Sequence, residues 1–172
     1  MRELHDAVSI LNGFIADLSV AVRVLKDYVE QDAFEENKTF RQGVFRLCLQ
    51  SIFLNCAKYT EFCRNYSKQV NDHASMYSSI MNKYKSELEN KGVNKLRSTY
   101  IAHTGDSKKH GVLSVEEVDS LIFEIIGGSD ALPFLNWICP ENPDGVEPET
   151  YLTGVMVLIR DEIGKEISRN NV

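Results

Sequence analysis

Near the start of the chain, apolar residues recur in alternating steps of four and three. They are Leu4, Val8, Leu11, Ile15, Leu18, Val22, Leu25 and Val29. A sustained repeat of about 3.5 residues is typical of a long helix in a bundle or coiled coil, so we predict a helix over about residues 3–31. Three further apolar positions widen the stripe and favour packing against more than one neighbour: Phe14, Val20 and Ala21.

A second apolar pattern predicts a helix of similar length over about residues 39–68. Two antiparallel helices of this length form a hairpin. Further helical patterns cover about residues 73–90, 93–101, 115–126, 131–138 and 149–169, and Ser114 with Glu117 forms a capping box before the third of these. No segment has the pattern of a strand. We therefore predict an all-α fold, an up-down helical bundle that forms a single domain over residues 1–172.

The amino-acid composition narrows the possible classes of protein. Apolar residues make up 43% and charged residues 26%, which is ordinary for a soluble globular domain and excludes disorder for most of the chain. No run of about 18 uncharged apolar residues occurs, and the N-terminus lacks the basic and apolar regions of a secretory signal, so we expect a cytoplasmic protein. The four cysteines form no C-x-x-C pair, and we interpret them as reduced core thiols, with a metal or disulfide role as the alternative.

The charge is distributed unevenly. The chain has a net charge of −6, which argues against a protein that coats nucleic acid non-specifically. Residues 91–110 nevertheless hold five basic residues against one acid, and they also hold His103 and His110. This window is either a local patch that attracts a polyanion or a solvated loop with scattered lysines.

Common enzyme motifs are missing from the sequence. We find no glycine-rich phosphate loop, no G-x-S-x-G, no H-E-x-x-H and no Glu-x-x-His pattern of a di-metal bundle, so we expect no metal and no cofactor. We expect Glu61 and Glu87, which lie on predicted bundle helices, to be solvated rather than ligands.

One segment carries a more specific pattern. Residues 95–106 read KLRSTYIAHTGD, in which five residues separate Arg97 from His103. The segment resembles the HEPN superfamily, whose hallmark is an arginine, four to six residues and a histidine in an all-α bundle. The L-R-x-x-Y-I-A-H-x-x-D wording is most similar to the abortive-infection-type branch. The position after the arginine, often Asn, Asp or His in that superfamily, is Ser98 here.

The resemblance implies a metal-independent endoribonuclease with a composite site where two protomers meet. Arg97 and His103 would be catalytic, in a homodimer that cleaves RNA as a toxin or phage-defence component. An antitoxin or a nucleotidyltransferase is the implied partner. Further candidates for RNA contact or for support of the site are Ser98, Tyr100, Asp106, Lys108, Lys109 and His110.

The two residue types suit this chemistry. Histidine gives or takes a proton near neutral pH, and the planar fork of arginine stabilises charge on a phosphoryl group. On a regular helix, however, six steps place Arg97 and His103 about 120° apart and about 9 Å along the axis. A joint site needs either a helix that bends or ends between them or a second copy across a two-fold axis. We therefore expect one protomer to make an incomplete site and a dimer to complete it.

Other interpretations of the same residues stay open. Arg97 could pair with a carboxylate on a bundle face, and His103 could cap a helix end. The whole protein could be a non-catalytic HEPN module that binds a nucleotide, RNA or a partner protein, or a structural bundle that oligomerises through its first helix. We interpret Trp137 as a core or interface residue rather than a platform for stacking bases.

Overall fold

The computed structural model describes residues 1–30, 38–98 and 115–169. These residues form helices α1 to α8, whose bounds are, in order, Arg2–Glu30, Lys38–Asn65, Ser67–His73, Ser78–Asn90, Val93–Leu96, Val115–Ile126, Leu132–Ile138 and Leu152–Arg169. Short 3₁₀ turns cover Ser75–Tyr77, Pro143–Gly145 and Pro148–Thr150. The described ranges contain no β-strand, and the predicted all-α helical bundle is confirmed.

Helix α1 lies at the centre of the packing, between α2 and α8. Its fully buried residues are Leu4, Ala7, Leu11, Phe14, Leu18, Ala21, Val22 and Leu25. This face is wider than one heptad stripe because α1 has two long neighbours, as the sequence predicted. Val20 is 64% exposed, so it does not widen the buried face as Phe14 and Ala21 do.

Helix α1 is also long and apolar enough, by length and composition, to cross a membrane, with a mean hydropathy of 1.7 over its best window. We expected no such helix because charged residues such as Asp17 and Arg23 interrupt the apolar run. A core helix of a soluble protein has the same composition, and the buried face of α1 packs in the hydrophobic core with α2 and α8.

The connection between α2 and α4 differs from the prediction. The helix predicted to reach residue 68 ends at Asn65, and the helix predicted from residue 73 begins only at Ser78. Between them the backbone departs from regular helical dihedrals at Tyr66 and Ala74, which bound α3. Val70 and Ala74 are fully buried, so this segment contributes to the core.

A glycine-dependent turn and an aromatic cluster complete the bundle. Gly92 has a φ of +82°, a left-handed conformation that glycine adopts without strain, and it lets the chain turn from α4 into α5. The ring of Trp137 on α7 stacks on Tyr84 at 5.1 Å and on Phe134 at 6.0 Å. Trp137 is therefore part of the packing of α7 against α4.

All four cysteines are free thiols. Cys56 and Cys63 are fully buried in the core, while Cys48 and Cys139 are half-buried. Burial raises the pKa of the Cys63 thiol to about 12 and raises that of Cys56 well above its ordinary value. Because a thiol reacts as the thiolate, these two residues are inert core thiols, as expected.

Candidate functional site

Arg97 directly follows α5, a helix of four residues. Val93 and Leu96 are fully buried and fix α5 against the bundle. Arg97 then reaches across to α2, where its Nη1 atom donates a hydrogen bond to Oε1 of Glu61. The Arg97 side chain is 33% exposed and that of Glu61 is 40% exposed, so the ion pair lies at the surface with one side open to water.

This ion pair belongs to a row of three polar contacts that joins α2 to α4 and α5, which we call the polar seam. The pairs are Thr60 with Asn94 at 3.2 Å, Glu61 with Arg97, and Arg64 with Glu89 at 3.2 Å. The Thr60 hydroxyl is buried and also lies 2.8 Å from the carbonyl oxygen of Ala57. The polar seam therefore fixes α5, and with it the backbone of Arg97, against α2.

Sequence reasoning missed the role of Glu61. We expected a solvated carboxylate, whereas Glu61 accepts a hydrogen bond from Arg97. This contact matches the alternative interpretation in which Arg97 pairs with a carboxylate on a bundle face. The sequence carried no signal for this pairing, because it depends on how α2 packs against α5, although Glu61 lies between Thr60 and Phe62, which are both buried in the structure.

Ser98, the neighbour of Arg97, is exposed and makes a local contact. Its hydroxyl donates to the carbonyl oxygen of Lys95 at 3.0 Å, so it closes the last turn after α5. The remaining predicted site residues lie outside the described residues: Tyr100, His103, Asp106, Lys108, Lys109 and His110. The structure therefore places Arg97 and Ser98 from the predicted set and adds Glu61.

Lys91, the first residue of the basic window, has a structural role. Its Nζ atom donates to the carbonyl oxygen of Ile125 at 3.2 Å, at the end of α6. The same atom lies 5.7 Å from the ring centre of Phe134 and 5.8 Å from that of Trp137, which is cation–π distance. Lys91 thus connects the end of α4 to α6 and α7.

Among the described residues, two cavities of about 330 and 200 Å³ lie against α1, and neither is lined by Arg97 or Glu61. Within residues 1–30, 38–98 and 115–169, no group of three or more His, Cys, Asp or Glu side chains is close enough together to hold a metal ion.

Comparisons with known proteins identify a relative by structure. No protein-family model and no curated protein matches this sequence. The solved structure of the integron cassette protein Vpc_cass2, from the mobile metagenome of V. paracholerae, is similar with a TM-score of 0.84 and 34% sequence identity. The match covers 95% of this chain and 97% of that protein, so the similarity extends over the whole bundle.

Proposed function

The chain belongs to the same family as the integron cassette protein Vpc_cass2, and we propose that its function is metal-independent cleavage of RNA at a site shared by two copies. The observation that supports this proposal is the environment of Arg97. Its guanidinium lies at the surface, is held on one side by Glu61, and directly precedes the segment that carries His103. This is the arginine that the HEPN resemblance singles out.

The proposed reaction needs two functional groups. The imidazole of His103 takes the proton of a ribose 2′-hydroxyl, the oxygen attacks the adjacent phosphorus, and the bond to the 5′-oxygen breaks. A proton returns to the leaving 5′-oxygen from the histidine of the second copy. Arg97 stabilises the negative charge that develops on the non-bridging phosphate oxygens, because its guanidinium stays protonated and donates two parallel hydrogen bonds. The products are a 2′,3′-cyclic phosphate and a 5′-hydroxyl.

The biological setting follows from the same proposal. The relative comes from a mobile metagenome, and mobile genes suit the toxin or phage-defence role that the HEPN resemblance implies. The protein would then act in the cytoplasm as a homodimer, with an antitoxin or a nucleotidyltransferase as its partner.

The test is incubation of the purified protein with mixed single-stranded RNA in the presence of EDTA. We expect products with 2′,3′-cyclic phosphate ends, and we expect Arg97→Ala and His103→Ala each to lower the rate by about 100-fold or more. Arg64→Ala is the matched control, because Arg64 forms an ion pair with Glu89 in the same polar seam. Cleavage at the wild-type rate by both the Arg97 and His103 variants would overturn the proposal.

A second candidate function is a non-catalytic module that binds RNA, a nucleotide or a partner protein. The contact with Glu61 favours it, since the charge of Arg97 is already paired, and Ser98 departs from the commonest HEPN pattern. Binding of RNA without any cleavage in the assay above would support this second function and reject the first.

A further inference from the structure

We infer that Glu61 is the positioning residue of Arg97: it holds one edge of the guanidinium and so sets both the direction of the other edge and its affinity for phosphate. This inference rests on the proposed function, because it assigns a phosphate of the substrate to Arg97. It adds a residue from another helix to the site, outside the segment that resembles HEPN proteins.

The first step is the rigidity of Glu61 compared with Arg97. Glu61 lies inside α2, and its neighbours Thr60 and Phe62 are buried, at 0% and 3% exposure. Arg97 follows the four-residue α5 in a backbone that is still helical, so the difference lies in its long side chain, which has four rotatable bonds. An arginine side chain of this kind loses rotamer entropy when it is fixed. The contact with Glu61 therefore orders the guanidinium before a substrate arrives.

The second step is the number of donors. A guanidinium has five N–H donors in a planar fork. The contact with Glu61 uses Nη1, and a third of the Arg97 side chain remains accessible to water. A phosphate can approach from the accessible side while Glu61 keeps its hydrogen bond. This arrangement fixes the plane of the fork, which a bidentate phosphate contact requires.

The third step is the effect of the negative charge of Glu61 on the affinity of Arg97 for phosphate. The Glu61 carboxylate repels a phosphate bound to the same guanidinium, so it lowers affinity while it improves orientation. For two negative charges about 6 Å apart, this repulsion lowers the affinity by about threefold at the dielectric constant of water, and by more where the protein partly excludes water. Replacing Glu61 should therefore worsen the orientation of the Arg97 guanidinium and at the same time tighten the binding of phosphate. An ordinary structural ion pair does not predict this combination.

The polar seam supplies a matched control. Arg64 and Glu89 also join neighbouring helices, at 3.2 Å, and their side chains are 49% and 34% exposed. Glu89→Gln removes the same charge as Glu61→Gln from the same seam. It leaves Arg97 and its hydrogen bond to Glu61 in place.

The experiment uses the full chain and two probes: a cleavable single-stranded RNA, and a 2′-O-methyl RNA of the same sequence that has no free 2′-hydroxyl and cannot be cut. We expect Glu61→Gln and Glu61→Ala to bind the 2′-O-methyl RNA at least about threefold more tightly than the wild type, and Glu89→Gln to stay within twofold. For the cleavable RNA, kcat should fall about tenfold in Glu61→Ala and less in Glu61→Gln, because the glutamine side-chain oxygen still accepts the hydrogen bond.

The outcomes separate this inference from the proposed function. Equal binding by the Glu61 and Glu89 variants overturns the inference, whatever the cleavage assay shows, and so does an unchanged kcat in Glu61→Ala. Failure of the wild type to cleave RNA overturns the proposed reaction. If the Glu61 variants then still bind the 2′-O-methyl RNA more tightly than Glu89→Gln, control of phosphate binding by Glu61 is supported without catalysis.

Discussion

Two cations of this bundle, Lys26 and Arg97, lie in opposite environments. Lys26 on α1 is 7% exposed, and its Nζ atom donates to Oδ1 of Asn136 at 2.6 Å and to the carbonyl oxygen of Cys139 at 2.9 Å. Arg97 is 33% exposed at the side-chain level and donates to a carboxylate at the surface. The first cation connects α1 to the end of α7, and the second lies at the edge of the polar seam.

The difference separates a residue that stabilises the fold from one that is available to a ligand. Removing a buried donor leaves its acceptors without partners, which costs free energy of folding. An ion pair at the surface contributes only about 0–1 kcal/mol, because water and salt screen both charges. The side of the bundle around α1, α7 and α8 is therefore expected to be sensitive to substitution, and the two surface ion pairs of the polar seam are expected to tolerate it.

The largest expected effect is at Gly154 on α8. A Cβ atom there would overlap the carbonyl oxygen of Pro148 and lie 2.7 Å from Cζ of Tyr151, so the backbone would have to move. We expect Gly154→Ala to lower the free energy of unfolding by about 3 kcal/mol, measured by urea denaturation.

Gly164 on the same helix is the matched control. A Cβ atom there meets nothing within 4 Å, and alanine is the better helix former, so Gly164→Ala should leave stability unchanged or raise it by about 0.5–1 kcal/mol. Equal stability of the two variants would show that the α8 side is not tightly packed, and the contrast with the polar seam would be lost.

Lys26→Met tests the comparison directly. Methionine keeps most of the apolar stem of lysine but removes the ammonium group. That group donates hydrogen bonds to Asn136 and to the carbonyl oxygen of Cys139. We expect the free energy of unfolding to fall by about 2 kcal/mol, because hydrogen bonds to a charged group are lost.

Arg97→Ala should lower the free energy of unfolding by no more than about 1 kcal/mol. If Arg97→Ala destabilises the protein as much as Lys26→Met does, Arg97 is a structural residue. The case for a functional guanidinium would then be weak.

The sequence predicts the parts of this structure that depend on local periodicity. The repeat from Leu4 to Leu25 predicts α1 because a core-facing helix must place an apolar residue every three or four positions. The contact of Glu61 with Arg97 joins residues 36 positions apart, and that of Lys91 with Ile125 joins residues 34 apart. Such contacts depend on which helices pair and in which register, and periodicity does not contain that information.

The predicted helix boundaries between α2 and α4 differ from the observed ones for a related reason. The apolar pattern alone would carry α2 past Tyr66, but the backbone departs from regular helical dihedrals there, four residues before the buried Val70. Tertiary packing therefore outweighs the local helical preference at that point. Of the predicted site, the arginine was found from its motif, whereas its carboxylate partner became visible only in the folded structure.

The smallest expected effect is a change in how folding stability depends on alkaline pH. It concerns a core residue, Tyr84, rather than the polar seam. Tyr84 is buried, donates to the carbonyl oxygen of Glu149 at 3.2 Å and has a pKa raised by burial to about 12. Below pH 10, the ordinary pKa of tyrosine, both states keep the proton and the contribution to stability is complete. As pH rises from 10 towards 12, the unfolded chain loses this proton first, so stability falls.

Tyr84→Phe removes that contribution, and the fall in Tm between pH 9 and pH 11 should be smaller in the variant than in the wild type. The fall should not vanish, because burial also raises the pKa of Tyr59 and of Cys63, and these groups stay in place. Arg97→Ala should show the wild-type dependence, since it changes the polar seam and leaves the core intact. A Tyr84→Phe protein with an unchanged pH dependence would mean that the Tyr84 hydroxyl is hydrated in solution, and that the core side is more open than the structure indicates.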